Sequence, residues 1–291
     1  MSDHVTIHII NAFTDGNSGG NPAGVVINAN EFDQAQKQRI AAEAGLSETA
    51  FISDSEVADF KFEFFTPTRQ IAHCGHATIA AFSYLAQQGK VPNSKSSKET
   101  IDGTRAIFIR GDRAFMEQKA PHYQFDGLDT DVIMTTLGLK NTDLVPGHKP
   151  LIVNTGNSFM IVPLENQAAL AGIRPNFDTI EQISNTFDLI GYYPFTLETQ
   201  RPGHHAAARM FAPAYGIPEE SATGMAAGPL ACYLYDQLGI KQRRLVIEQG
   251  WFMSPPSPSE IIVDLAVDED HIVSLMAGGH AKLMHAITVQ I

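Results

Sequence analysis

Phe65-Thr66-Pro67, followed by Gly75-His76-Ala77 and Tyr84-Leu85, sets the architecture, because the chain repeats it. The second copy is Phe211-Ala212-Pro213, then Gly224-Met225-Ala226 and Tyr233-Leu234, with the Tyr-Leu pair again nine residues after the glycine. Each copy reads as strand, polar loop, glycine turn and apolar helix. A glycine turn that opens a helix presents backbone N–H groups and the positive end of the helix dipole, which together favour an anion. Two such helix starts predict two similar halves with a small acidic ligand held between them.

Working outward, both copies sit in the same order of elements. Upstream of the first, Val5–Ile10 alternates as a strand, Asn11–Gly24 has loop chemistry, and Gly24–Ile27 is a short buried strand. Asp33–Ala44 is an amphipathic helix capped by Asp33 and stopped by Gly45. Thr49–Ser53 and Phe60–Thr66 are rich in aromatic and β-branched residues and read as strands. Cys74–Gln88 is the first apolar helix, and Ala226–Leu238 is its counterpart. Between them, Val91–Gly103 reads as an exposed polar hairpin or loop, Thr104–Ile109 and Arg113–Gln118 as paired strands, and Ala120–Gly127 as a linker. The second half supplies strands at Leu151–Thr155, Phe159–Pro163, Leu189–Leu197 and Ala206–Phe211, with short helices at Asn166–Gly172 and Thr179–Asn185. Further strands are expected at Leu245–Gln249, Glu260–Val267, Ser274–Lys282 and Ala286–Ile291. The expected class is α+β with an internal duplication, each half wrapping a mostly antiparallel sheet around one helix. The expected division is 1–120 plus 283–291 for the N-terminal half and 121–282 for the C-terminal half.

Composition narrows the function. At 291 residues, two domains are a better prior than one, and 44% hydrophobic content supplies ample core. A formal charge of −12 argues against nucleic acid or an anionic membrane surface, both of which need clustered Lys and Arg. No apolar run approaches the roughly 18 residues of a bilayer span. Met1-Ser2-Asp3-His4 lacks the basic and apolar regions of a secretory signal. Cys74 and Cys232 sit at or inside predicted helices of different halves, which points to free thiols in a reducing cytoplasm.

Several residues carry candidate chemistry. Glu48, in Gly45-Leu46-Ser47-Glu48-Thr49-Ala50-Phe51, is a lone carboxylate among small and apolar neighbours. It is either a solvated turn residue or, if held away from water, a usable general acid or base near neutrality. His73-Cys74-Gly75-His76 offers at most three metal ligands in a tight turn, with no second Cys/His pair at zinc-finger spacing, so no metal is expected. His76 instead suits hydrogen bonding or proton handling at the start of the helix, or capping of that helix. Cys74 is either a reactive thiol or small filler. In the second copy, Glu219 and Glu220 precede the helix and serve either its dipole, with Ser221 or Thr223 as cap, or a ligand. Asn21-Pro22-Ala23-Gly24 either lends backbone N–H groups to the same cleft or is a simple hairpin turn. No G-x-G-x-x-G, G-x-x-x-x-G-K-[ST] or G-x-S-x-G pattern is present.

Taken together, these residues resemble the PhzF-like isomerases and epimerases of the diaminopimelate-epimerase fold. The resemblance runs from Asn11-Ala12-Phe13-Thr14 and Gly20–Val26 through Leu46–Phe51, Phe65-Thr66-Pro67 and Cys74–Thr78. It continues in Arg209–Pro213, Glu220–Gly224, Glu248-Gln249-Gly250 and Gly278-Gly279-His280-Ala281. It implies two pseudo-symmetric, β-barrel-like domains around central helices, an active site in the cleft between them, cofactor-free proton transfer at carbon, and a homodimer. The family's catalytic carboxylate falls on Glu48 and its histidine on His76. Its second acidic position falls on Glu220, here glutamate followed by Ser221 where the family usually has aspartate and proline. Met225 stands where the family often has serine. The substrate implied is a small carboxylate-bearing metabolite, with Glu48, His76 and Glu220 catalytic and Asn21, Cys74, Gly75, Ala77, Thr223, Gly224 and Met225 in contact with it. Two alternatives stay open: a two-base epimerase using Cys74 and Glu220, and a scaffold that binds without turnover.

Overall fold

The computed structural model describes residues 4–91, 94–127 and 129–290. The readings that fall on residues 1–3, 92–93, 128 and 291 lie outside the described residues. The chain divides into two compact units, Met1–Met116 with Gly278–Ile291, and Glu117–Ala277.

The first unit contains β1 (His4–Ala12), β2 (Asn21–Ile27), α1 (Gln34–Ala44), β3 (Thr49–Ser53), β4 (Phe60–Phe65) and β5 (Gln70–Ile71). It continues with α2 (Gly75–Gln87), β6 (Lys95–Thr100), β7 (Gly103–Arg110) and the start of β8 (Arg113–Lys119). The second unit contains β9 (His122–Gln124), α3 (Thr130–Thr136), β10 (Leu151–Asn154), β11 (Ser158–Pro163), α4 (Gln167–Gly172), α5 (Phe177–Phe187) and β12 (Gly191–Thr196). Next come β13 (Ala206–Ala208), β14 (Met210–Ala212), β15 (Ile217–Glu220), α6 (Gly224–Asp236), β16 (Arg244–Gln249) and β17 (Ser259–Asp268). The last strand, β18 (His271–Gln290), returns to the first unit and pairs antiparallel with β1.

The strand pairings of the two units repeat one plan. β1 is antiparallel to β2, β2 parallel to β3, β3 antiparallel to β4, β4 parallel to β6, and β6 antiparallel to β7. Correspondingly, β10 is antiparallel to β11, β11 parallel to β12, β12 antiparallel to β13, β13 parallel to β16, and β16 antiparallel to β17. In each plan the central helix lies between the second antiparallel pair and the parallel strand that follows it, and both helices have 13 residues. His76–Leu85 of α2 and Ala226–Tyr235 of α6 are buried without a break. A helix that is apolar all round belongs inside a core rather than on a surface, and the wrapping sheet provides that enclosure. The class is therefore α+β with two copies of a barrel-like sheet around a central helix.

Four sequence expectations need correction. Of the exposed hairpin or loop expected at Val91–Gly103, Lys95–Thr100 forms one strand of a hairpin with β7, but it is not exposed: its alternate residues Ser96, Lys98 and Thr100 point inward. Their polarity hid the strand, since no apolar alternation marks it. Residues 122–124 of the expected linker form β9, which pairs with β10. The two C-terminal strands expected on either side of residue 283 are the single strand β18. Asn21-Pro22-Ala23 lies in β2 and pairs with Ala12, Asn11 and Ile10, so it is not a hairpin turn.

Candidate active site

In the first unit the site grows from the junction of β3 and α2. Gly24 of β2 pairs opposite Thr49, and its N–H donates to the Glu48 carbonyl at 3.0 Å, which fixes the residue just before β3. The Glu48 side chain is 14% exposed, and its Oε2 is sealed from solvent 3.4 Å from His76 Nε2. His76 is the second residue of α2. Its other ring nitrogen, Nδ1, lies 3.6 Å from Cys74 Sγ. Cys74 is the N-cap residue, in extended conformation, and its side chain does not cap the helix. The imidazole thus stands between a carboxylate and a thiol, with Nε2 toward Glu48 and Nδ1 toward Cys74. Such a ring can pass a proton either way. Gly75 opens the helix, and Ala77, expected in contact with a ligand, is fully buried.

Glu48, Cys74 and His76 place three donor atoms within 4.8 Å of one another, a set that can hold a cation. His73, grouped with them by sequence, turns the other way: its Nδ1 lies 3.2 Å from Lys98 Nζ. The positive end of α2 and the Lys98 ammonium both oppose a cation here and favour an anion.

The second unit builds a related but different cluster. α6 starts at Gly224, two residues earlier than its sequence pattern suggests, and its N-cap Thr223 again makes no side-chain cap. Instead the Thr223 hydroxyl donates to Glu220 Oε2. Gln249 ties this loop together: its Nε2 donates to the Glu220 carbonyl at 2.6 Å, and its Oε1 accepts from Thr223 N–H at 3.1 Å and Tyr193 O–H at 2.8 Å. Burial, and then the Glu220 charge, push the Tyr193 hydroxyl well above its ordinary range, so it stays protonated as a donor. Glu219 is taken by a bidentate pair with Arg209, 2.8 Å at both contacts, whereas Glu220 turns to the Thr223 hydroxyl. Asn157 Nδ2 donates to Met225 Sδ at 3.4 Å. The residue before β12, in the place of Glu48, is Ile190, so a carboxylate stands at this place in one copy alone.

Sequence reasoning assigned no role to Lys98, Thr78, Gln249 or Tyr193. A lysine alternating with Ser96 and Thr100 in a short polar run was the available signal for the first of these. Cys232 is a free thiol, as is Cys74. Burial and then Asp236 raise the Cys232 thiol far above its ordinary range, which keeps it uncharged.

A duplicated helix-in-barrel fold is one that isomerase-type enzymes use, and comparison with known proteins places the chain among them. The chain belongs to the phenazine biosynthesis-like (PhzC-PhzF) family, whose model matches residues 10–286. It is 32% identical to an uncharacterized isomerase of Clostridium acetobutylicum, over 96% of this chain and 95% of that one. The crystal structure of a PhzF-family phenazine biosynthesis protein of Bacillus anthracis superposes with a TM-score of 0.89 at 26% identity, covering all of both chains. A hydroxyproline epimerase of Agrobacterium vitis shares the fold, with a TM-score of 0.58 at 11% identity over all of this chain and 93% of that one. The protein is an isomerase-type enzyme of this family. Among the described residues no helix is long and apolar enough to cross a membrane.

Proposed function

We propose that this enzyme moves a proton between carbon positions of a small carboxylate-bearing metabolite, without a cofactor, using Glu48 as the acid/base group. The observation that carries the reading is the Glu48–His76 pair at the uncapped start of α2, 3.4 Å apart with the carboxylate oxygen sealed from solvent. Glu48 as carboxylate takes a proton from a C–H bond made acidic by an adjacent unsaturated or carboxyl group. The electron pair left behind delocalises into that group. Glu48 as acid then returns the proton at another carbon, so the step is neutral overall and consumes no co-reactant. The backbone N–H group at Gly75 supports the substrate carboxylate and the developing negative charge. His76 orients the substrate or handles a second proton. A homodimer and a cytoplasmic setting accompany this reading, in keeping with two buried free thiols.

Incubation of the enzyme with a metabolite mixture in heavy water, read by mass spectrometry, tests it. The expected result is deuterium gain in one carboxylate-bearing compound, falling about 100-fold or more in Glu48→Gln. Exchange that survives in Glu48→Gln at the wild-type rate overturns the assignment of the base.

A further inference from the structure

The least exposed ionisable group in the first unit is one the proton-transfer reading does not use. Lys98 of β6 is 0% exposed, and no carboxylate pairs with it among the described residues. Its Nζ instead donates to Thr78 Oγ1 at 2.5 Å and lies 3.2 Å from His73 Nδ1. Thr78 Oγ1 in turn donates to the Cys74 carbonyl at 2.6 Å. The Phe64 and Phe62 rings of β4 face the ammonium at 4.8 and 5.9 Å. A buried charge without a counter-ion is costly and persists where something compensates it. Here the compensation is a donor chain, Lys98 to Thr78 to Cys74, ending on the peptide that sets the cap of α2.

We propose that Lys98 is a positioning residue of the Glu48–Cys74–His76 site, holding the Cys74–His76 turn through Thr78 and His73 while placing one positive charge behind it that selects for anions. The inference rests on the proton-transfer reading only in taking that cluster as the reactive site. The duplication supports it. In the second unit the corresponding strand, β16, also sends a buried polar side chain to the start of the central helix, but that side chain is the neutral Gln249. The copy that carries the acid/base carboxylate is the copy backed by a cation.

The groups that set the charge of Lys98 are few. Burial is the largest influence and lowers it to about 7; Cys74 beside the helix raises it, Arg105 of β7 lowers it, and Asp102 of the β6–β7 turn raises it. His73, lowered to about 3 by burial, then by Lys98 and Arg105, stays neutral and accepts from the ammonium. The charge behind the site is therefore present in mildly acidic solution and lost above neutrality.

Two alkylating reagents of similar size read this charge at Cys74 without any substrate. Iodoacetate is anionic and iodoacetamide neutral; with either, the sulfur displaces iodide from the CH2 carbon. Their rate ratio cancels the reactivity of the thiol itself. At pH 6 the iodoacetate-to-iodoacetamide ratio at Cys74, followed by peptide mass spectrometry, is expected to fall about five- to tenfold in Lys98→Met, the effect of one charge acting over roughly 10 Å. In the wild type the ratio falls toward the variant's value between pH 6 and 9. A ratio unchanged by the substitution overturns the proposal, since a merely structural role alters both rates alike. A second measurement needs no substitution at Lys98. The 13Cε NMR titration of Lys98 is expected to move to higher pH after carboxymethylation of Cys74, and to stay in place after carbamidomethylation. Should neither reagent reach the thiol, Cys74→Asp against Cys74→Ser supplies the same contrast. A Lys98 titration indifferent to charge at position 74 refutes the coupling. Neither readout depends on turnover, so a failure of the Glu48 assignment leaves it standing.

Discussion

Lys98 and His73 form one unit of charge accounting at the residue scale, and its sign fixes how stability follows pH. Lys98 titrates at about 7 in the fold against 10.5 ordinarily. Between those values the unfolded chain holds a proton that the folded chain does not, so stability rises with pH through that window and is lost again toward pH 7. His73 behaves alike in a lower window: at about 3 against 6.5, it makes stability fall as the pH drops below 6.5. Each window has a slope of about 1.4 kcal/mol per pH unit at most. Lys98→Met lacks the upper window. Urea denaturation at pH 7, 8 and 9 is therefore expected to show the wild type gaining on Lys98→Met by about 2–3 kcal/mol across that range. Parallel pH dependences in the two proteins would mean that folding does not lower the Lys98 pKa and that the ammonium stays charged across this range.

At the scale of elements, the β2–β3 pair is the part most exposed to a one-methyl change. A Cβ at Gly24 would lie 2.7 Å from Thr49 Oγ1, 3.1 Å from Thr49 Cγ2 and 3.2 Å from Ile7 Cγ2. Thr49 and Ile7 are fully buried and β-branched, so neither can swing aside, and the strands must separate by a few tenths of an ångström. Gly24→Ala is expected to cost about 1–3 kcal/mol in urea denaturation. It should also lower deuterium exchange more than that loss accounts for, because Gly24 N–H holds the Glu48 carbonyl. Wild-type exchange in a measurably destabilised Gly24→Ala would show that this bond does not position Glu48. The same scale shows what a reader of the sequence can see. α2 and α6 were legible because nearly every residue between Ala77 and Leu85, and between Ala226 and Leu234, is small or apolar. α1 was legible to the residue, since Asp33 and Gln36 form a capping box and Gly45 takes a positive φ of 64° at its end. β6 was not, because its inward face is Ser96, Lys98 and Thr100, satisfied by tertiary partners that no local pattern announces. The start of α6 was missed for a related reason: Gly224 lowers helix propensity, yet the Gln249 and Glu220 bonds to Thr223 settle where the helix begins. Glu48, Cys74 and His76 were expected at one site through the family resemblance, and they do lie together. No local pattern brings them within reach, since that depends on β2 setting the register of β3.

At the scale of the whole molecule, the first unit is completed by residues from the far end of the chain. β18 pairs with β1 from Ala12↔Ala281 to His4↔Gln290. It also secures the central helix: Ala281 N–H donates to Ser83 Oγ at 3.0 Å, and Gln87 Nε2 donates to the Ala281 carbonyl at 2.7 Å. Thr14 Oγ1 and His280 Nδ1 add a bond at 2.8 Å. A chain ending at Ala277 would leave one side of β1 without its ladder, strip two partners from α2, and expose apolar side chains of the core that Val5, Ile7 and Ile9 share with Val289. The second unit, Glu117–Ala277, keeps all of its own residues. Hydrogen exchange read by mass spectrometry is therefore expected to show protection lost across residues 4–116 and kept across 117–277 in that truncated chain. Carbon-proton exchange should vanish with it, since Glu48 and His76 both belong to the unit that unravels. Protection retained in β1 and α2 after truncation would mean that β18 decorates the first unit rather than closing it.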